Sequence, residues 1–198
     1  MIKNVIFDIG NVLLDFCWKD HIARFGFQGE KADRIAQAMM LGPIWPKLDL
    51  GLESDEDILE QFVAHTPELE QEIRLVFSDL STIVREYEGS VDWIESLKAR
   101  GYHTYYLSNY GERIRREASK ELSFLSHMDG GIMSYTVHLA KPDPAIYQTL
   151  LDRYGLKAEE CVFLDDTVRN VEAAQALGFA GIVVTSQEQA KKELETLL

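Results

Sequence analysis

Short apolar runs recur along this chain with helical patterns between them, and this alternation restricts the fold more than any other feature. The first run lies within Ile2 to Phe7 and ends in Val-Ile-Phe. Similar runs follow at Tyr102 to Leu107, Cys161 to Leu164 and Gly181 to Val184, with a weaker fifth, GGIMS, around Ile132. Such runs suit strands covered on both faces. The segments VDWIESLKARG, GERIRREASKEL, DPAIYQTLLDRYG and VRNVEAAQALG carry helical spacing. Three close on a glycine (Gly101, Gly155 and Gly178), a usual helix C-terminal signal. Strand and helix in this order predict an α/β fold, a Rossmann-like parallel sheet wound with right-handed crossovers.

Between Cys17 and Glu88 the rhythm breaks. No convincing strand is visible there, but EKADRIAQAMML, SDEDILEQFVAH and PELEQEIRLVFSDLSTIV read as helices. The SDED before Ile58 supplies a helix N-cap and an acidic first turn, and Thr66-Pro67 marks another helix start. The expected division is therefore an α/β core from 1–16 and 89–198, with an α-helical cap subdomain inserted at 17–88. A chain of 198 residues can bury a core of that size.

Charge narrows the function. With 20 basic and 33 acidic residues the formal net charge is −13, which disfavours general electrostatic binding to nucleic acid or anionic lipid. An anionic ligand would need a local positive site such as a metal ion. The two cysteines, Cys17 and Cys161, lack metal-ligand spacing and read as small apolar residues of a reducing compartment. No apolar run approaches the ~18 residues of a spanning helix, and MIKNVIFD is too short for a signal peptide. The expectation is a cytoplasmic monomer or homodimer.

In an open parallel sheet, ligands bind beyond the carboxyl ends of the strands. Polar residues stand at those ends: Asp8 after the first run, Ser108 and Asn109 after the second, and Asp165 and Asp166 after CVFL. Lys141 sits in the loop before DPAIY. Three carboxylates, a hydroxyl, an amide and a lysine suit phosphoryl transfer with Mg²⁺, a hard cation that prefers oxygen ligands. Asp8 and Asp166 are candidate ligands, with Asp165 behind them. Asp8 is also a candidate nucleophile, able to form an aspartyl-phosphate that water then hydrolyses. Lys141, Ser108 and the N–H groups of the following helix would hold phosphate oxygens. Each cluster alone also reads as a turn, a helix cap or a loop lysine; their ordered occurrence is what points to a site. Neither GxxxxGK[ST] nor GxGxxG follows a strand, and a receiver-type domain would carry its acidic pair after the first strand.

The ordered set FDIGNVL, LSN, KPDPAIY and FLDD resembles the four motifs of the haloacid dehalogenase superfamily, over nearly the whole chain. FDIGNVLLD, GLESDEDILEQF and AKPDPAIYQ look most like its sugar-phosphate phosphatases of the α-D-glucose-1-phosphate type. The resemblance implies a small helical cap, Asp8 as nucleophile, and Asp8, the Gly10 carbonyl, Asp166 and Asp165 around Mg²⁺. Ser108, Asn109 and Lys141 would bind phosphate. The implied function is Mg²⁺-dependent hydrolysis of a small phosphorylated metabolite. The alternatives are a non-catalytic phospho-ligand-binding protein and a haloacid dehalogenase.

The chain departs from that pattern at Gly10. Most phosphatases of the superfamily carry there a second aspartate that protonates the leaving group and later activates water. Gly10 keeps a backbone carbonyl but no proton carrier, and general acid–base catalysis is worth roughly 10²–10⁴-fold. Asp15 is the nearest acidic replacement in sequence, with a bound water, a substrate hydroxyl or a better leaving group as alternatives. Trp45 and Tyr110 are candidate pocket walls, with core packing the simpler role for Trp45. Arg113, Arg115 and Arg116 read as a solvated helix face. His21, His65, His103, His127 and His138 lack metal-ligand spacing.

Overall fold

The computed structural model describes all 198 residues. In chain order the elements are β1 (Asn4–Phe7), β2 (Leu14–Phe16), α1 (Trp18–Arg24), α2 (Gly29–Ala38), α3 (Trp45–Leu50), α4 (Asp55–His65) and α5 (Glu70–Phe77). There follow β3 (Val84–Glu86), α6 (Ser90–Ala99), β4 (His103–Ser108), α7 (Glu112–Glu117) and β5 (Gly130–Met133). The chain continues through α8 (Pro144–Tyr154), β6 (Cys161–Asp165), α9 (Val168–Ala176), β7 (Ala180–Val183) and α10 (Gln187–Glu195).

Five strands form one parallel sheet in the order β5-β4-β1-β6-β7, so the first strand lies at its centre. All five expected strands are present. The chain winds outward from β1 through β4 to β5, then returns to the other side of β1 for β6 and β7. Order reverses at the β1–β6 pair, where ligands gather in sheets of this kind.

Both faces of the sheet are apolar and covered, the physical reason for the near-continuous runs. Val5, Phe7, Val162 and Leu164 join the larger cluster, with Trp93, Ile94 and Leu97 of α6 and Ala190 and Leu194 of α10. Ile6, Tyr105, Leu107 and Phe163 point the other way, onto Ile146, Tyr147 and Leu150 of α8 and Ala174 of α9. Strand residues that alternate in direction while both faces are buried leave no polar phase in the sequence.

The stretch between β2 and β3 is helical, α1 to α5. Ser54 accepts a hydrogen bond from Asp57 N at 3.1 Å and so caps α4, and Pro67 opens the 3-10 turn before α5. One expectation fails here. The segment is not free of strand: Val84–Glu86 pairs antiparallel with Leu14–Phe16 as a two-stranded strap, three residues long, into and out of the helices. Three residues are too few to show a period. The helix expected through SDLSTIV stops at Phe77, where the Asp79 carboxylate turns the chain by accepting from Ser81 N at 2.9 Å. Ile35, Phe62 and Phe77 of the helical insert belong to the same apolar cluster as β1 and β6, so the insert packs onto the sheet as one body with it. No helix is long and apolar enough to cross a membrane.

Candidate active site

Strand register sets the first three side chains. Phe7 pairs with Leu164, so one residue further Asp8 stands beside Asp165. Alternation along each strand then turns Asp8 to the face of Ile6, and Asp165 to the face of Cys161 and Phe163. Phe7 also pairs with Tyr106, which brings Ser108, the last residue of β4, to the same rim. Asp8 N donates to Leu164 O at 2.8 Å and Asp8 Oδ1 accepts from Ile9 N at 2.7 Å, fixing the carboxylate at the strand end.

Lys141 reaches this pair from the loop before α8. Its ammonium lies 2.9 Å from Asp8 Oδ1 and 2.6 Å from Asp165 Oδ2, and the residue is only 4% exposed. Asn109 holds that loop: its Oδ1 accepts from Lys141 N at 2.8 Å and its Nδ2 donates to Lys141 O at 3.0 Å. Asp143 then caps α8 by accepting from Ala145 N at 2.9 Å. Ser108 and Asn109 do not cap the next helix, whose N-cap is Gly111. The Ser108 hydroxyl is thus left to the site, and the Asn109 amide to the Lys141 loop.

The acidic pair divides its labour. Asp165 is wholly buried and accepts from Lys141, from Thr167 N at 2.7 Å and from Asn170 Nδ2 at 3.1 Å on each oxygen. Asp166 lines the cleft. It accepts from Asn11 Nδ2 at 2.8 Å and Thr167 Oγ1 at 3.3 Å. Asn11 can reach it because its backbone turns into the left-handed region at φ 55°, which asparagine tolerates better than most residues.

Carboxylate oxygens of Asp8, Asp165 and Asp166 all lie within 4.8 Å of one another. Burial raises the Asp8 pKa to about 7. The Asp165 charge pushes the same way, against the Lys141 ammonium and the Ser108 hydroxyl. Burial also disfavours the charge on Lys141, but Asp8 and Asp165 outweigh it and raise that pKa. One buried ammonium is therefore paired with two of the three carboxylates, Asp8 and Asp165. The donor set fits a hard divalent cation: carboxylate oxygens converge, Gly10 lines the same cleft, and the buried Asn170 Oδ1 has no hydrogen-bond partner.

The cleft has a volume of about 260 Å³ and lies between the sheet rim and the insert. Asp8, Gly10, Ser108, Asn109, Lys141 and Asp166 all line it, and Asp165 lies buried directly behind Asp8 and Lys141; one sequence candidate is left out. Asp15 lies outside. On β2, Leu14 and Phe16 line the cleft and Asp15, between them, points to the opposite face, where its carboxylate meets Cys17 Sγ at 3.2 Å. Proximity in sequence to Gly10 misleads because one step along a strand reverses the side chain.

Trp45 and Tyr110 are cleft walls as well as core residues. Trp45 packs with Phe16 and Phe62 at centroid distances of 6.0 and 6.2 Å. The basic run is not a plain solvated face. Arg113 covers the Phe77 ring at 4.1 Å and pairs with Glu117 at 2.8 Å, and Arg116 reaches Asp55 at 3.2 Å, so both tie α7 to the insert. His21 is buried between Thr82 and Val76. Both thiols are buried and raised, Cys17 to about 12 and Cys161 to about 11, chiefly by burial.

Five polar cleft residues escaped sequence reasoning: Asn11, Asp49, Thr167, Arg169 and Asn170. Asn170 had a usable signal, one helical turn beyond Asp166. Asp49 had none, since α3 is six residues long and shows no period.

Similar proteins agree with this geometry. The haloacid dehalogenase-like hydrolase family matches residues 2–178. Mouse acyl-CoA dehydrogenase family member 10 is 31% identical over 99% of this chain, which corresponds to 19% of that protein. The chain thus spans about a fifth of the length of the first curated relatives it matches. The sesquiterpene phosphatase astK of Aspergillus oryzae is 25% identical, covering 99% of this chain and 96% of its own. (S)-2-haloacid dehalogenase 1 of a Pseudomonas strain is 25% identical over 90% of this chain and 82% of its own. Among solved structures, a HAD family enzyme from Bacteroides thetaiotaomicron in complex with magnesium and inorganic phosphate superposes with a TM-score of 0.71. It is 20% identical and covers 94% of this chain and 96% of its own. With four motifs meeting at one rim of a parallel sheet, and a family match over most of its length, this chain belongs to the haloacid dehalogenase-like hydrolases.

Proposed function

We propose that this hydrolase cleaves phosphomonoesters of small metabolites, with Mg²⁺, through an aspartyl-phosphate on Asp8. The observation that carries this reading is the convergence of Asp8, Asp165 and Asp166 within 4.8 Å of one another, with one buried lysine paired to the first two. Such a cluster calls for a further cation, and oxygen donors of this kind select a hard one. Asp8, Asp166 and the Gly10 carbonyl would hold Mg²⁺, with Asp165 and Asn170 orienting them. When bound, Mg²⁺ offsets charge between a carboxylate nucleophile and a phosphoryl dianion.

The chain's own residues supply the rest. Asp8 attacks phosphorus from the strand end. Lys141, Ser108 and Asn109 place the phosphoryl oxygens. The insert, residues 17–88, acts as a cap that excludes bulk water and meets the alcohol part of the ester. A cleft of about 260 Å³ suits a small ester, a sugar phosphate among them. Kinship with a phosphatase and with a solved magnesium–phosphate complex supports the same reading. Kinship with a haloacid dehalogenase, and the missing acid at Gly10, favour a second reading, hydrolytic dehalogenation.

A release screen separates the two. Sugar phosphates, nucleotides, an aryl phosphate and a 2-haloacid are offered with Mg²⁺ and with EDTA. Phosphate release with Mg²⁺ is expected, lost in EDTA and reduced at least about 10³-fold in Asp8→Asn. Asp15→Asn is expected to stay within about twofold of wild type, because its side chain faces away from the cleft and the amide can still meet Cys17. Halide release that persists in EDTA would establish the dehalogenase instead.

A further inference from the structure

We propose that Asp49 of α3 is the proton carrier that Gly10 lacks, supplied from the insert across the cleft rather than from the loop after β1. The inference rests on the phosphomonoesterase reading above.

The place for the usual acid is open. A Cβ built on Gly10 meets no atom within 4 Å, so nothing in the core fills that side of the cleft. In-line displacement puts the leaving oxygen across phosphorus from Asp8, and so toward the insert. The ionisable groups lining the cleft are Asp8, Asp49, Tyr110, Lys141, Asp166 and Arg169. Asp8 is the nucleophile, Lys141 is committed to Asp8 and Asp165, and Asp166 to the metal. Arg169 cannot release a proton at ordinary pH, and burial raises the Tyr110 hydroxyl away from neutrality. Asp49 is the one carboxyl group left.

Its position is built. Two glycines let α3 approach the core closely. A Cβ on Gly111 would stand 3.1 Å from Leu48 Cγ, 3.3 Å from Leu48 O and 3.6 Å from Asp49 Oδ1. Gly51 ends α3 at φ 63°, and a Cβ there would meet Tyr135 Cβ at 2.8 Å. Ser134 Oγ donates to the Asp49 carbonyl, and Leu50 O meets His138 Nδ1 at 2.9 Å. Two successive carbonyls, of Asp49 and Leu50, are therefore tied to the core loop after β5, which anchors the end of α3 that carries Asp49. Burial first, then the Asp8 charge, raise the Asp49 pKa to about 7, with Lys141 and the Gly111 N–H opposing. That value suits a group that must give and take a proton near neutrality.

The proton balance closes over two steps. Asp8 Oδ bonds to phosphorus while the bond from phosphorus to the leaving oxygen breaks, and that oxygen takes the proton of neutral Asp49. The alcohol departs and Asp49 is left as carboxylate. Water then attacks phosphorus and gives its proton to Asp49, the bond to Asp8 breaks, and inorganic phosphate leaves with both aspartates restored.

The test compares wild type, Asp49→Asn and Asp8→Asn on two probes with Mg²⁺, 4-nitrophenyl phosphate and glycerol 3-phosphate, with rapid mixing to resolve the first turnover. Nitrophenolate departs without a proton; the glycerol alkoxide does not. In Asp49→Asn, kcat/KM for glycerol 3-phosphate is expected to fall about 10²–10⁴-fold. For 4-nitrophenyl phosphate it should fall less than about tenfold, with a burst of one nitrophenolate per enzyme before slow turnover, because water activation is lost as well. The burst itself shows that the variant is folded with a working nucleophile. Equal losses on both esters without a burst, or no loss on either, would overturn the role of Asp49. Full activity in Asp8→Asn, or no cleavage of any ester by wild type, would overturn the phosphatase reading itself.

Discussion

Lys141 carries its charge to a place that water barely reaches, and only Asp8 and Asp165 make that tolerable. Breaking a buried ion pair by removing one partner is far costlier than never having had it, since the remaining charge is stranded. Lys141→Met should therefore destabilise the metal-free protein by about 3–5 kcal/mol in urea unfolding at pH 8. The sign with pH follows from Asp8, whose folded pKa is raised from 3.8 to about 7 even with Lys141 present. A carboxyl group raised on folding penalises the folded state above its folded pKa and not below its unfolded one. The loss in Lys141→Met should accordingly shrink as pH falls from 8 toward 4, and an unchanged loss would show that packing, not charge, sets it. Asp8 and Asp165 were legible in sequence because each follows an apolar run, and strand register does the rest; Lys141 was legible as the loop lysine before α8.

At the scale of elements, α3 matters out of proportion to its six residues. Its close seat against the start of α7 depends on Gly111, where a methyl group would press on Leu48 Cγ at 3.1 Å and Leu48 O at 3.3 Å. Backbone oxygen cannot step aside as a flexible side chain can, so Gly111→Ala should push α3 outward. Overpacking of this kind costs about 1–3 kcal/mol. The expected kinetic sign is a larger loss on alkyl than on aryl phosphates, in the direction of Asp49→Asn but smaller, with Mg²⁺ binding by calorimetry unchanged. A uniform loss on both esters would place Gly111 outside proton transfer. Neither α3 nor β3 was legible in the sequence. Both are too short for periodicity, and both exist because of what they pack against: α3 on the loop after β5, and β3 on β2.

For the whole molecule, the formal net charge of −13 sets the background against which one rim gathers still more carboxylates. A cation bound only by the folded state adds stability by mass action, about 2.7 kcal/mol at a hundredfold excess over Kd. Thermal unfolding should therefore move to higher temperature with added Mg²⁺ and return with EDTA. Asp166→Asn should abolish most of that shift while leaving the metal-free melting temperature close to wild type or above it, because a carboxylate has been removed from a crowded acidic site. A full Mg²⁺ shift in Asp166→Asn would place the metal elsewhere. Through Arg113 and Arg116 and through Ser134 and His138, the insert is anchored to the sheet domain on two sides of the cleft.

The apolar runs and the residues that end them determined, by themselves, the parallel sheet, its five strands and the polar rim. Those are local facts: burial on both faces removes the polar phase, and a strand's last residue is placed by register. Gly10 likewise announced in the sequence that a proton carrier was missing. Where the replacement stands was decided only by the tertiary structure. Asp15, five residues away, is turned to the opposite face by one step along β2, whereas Asp49, thirty-nine residues further on than Gly10, is carried back to the cleft by the packing of α3 on the core. No pattern along the chain encodes that approach, because it depends on the absence of two side chains, at Gly51 and Gly111, on opposite sides of a contact.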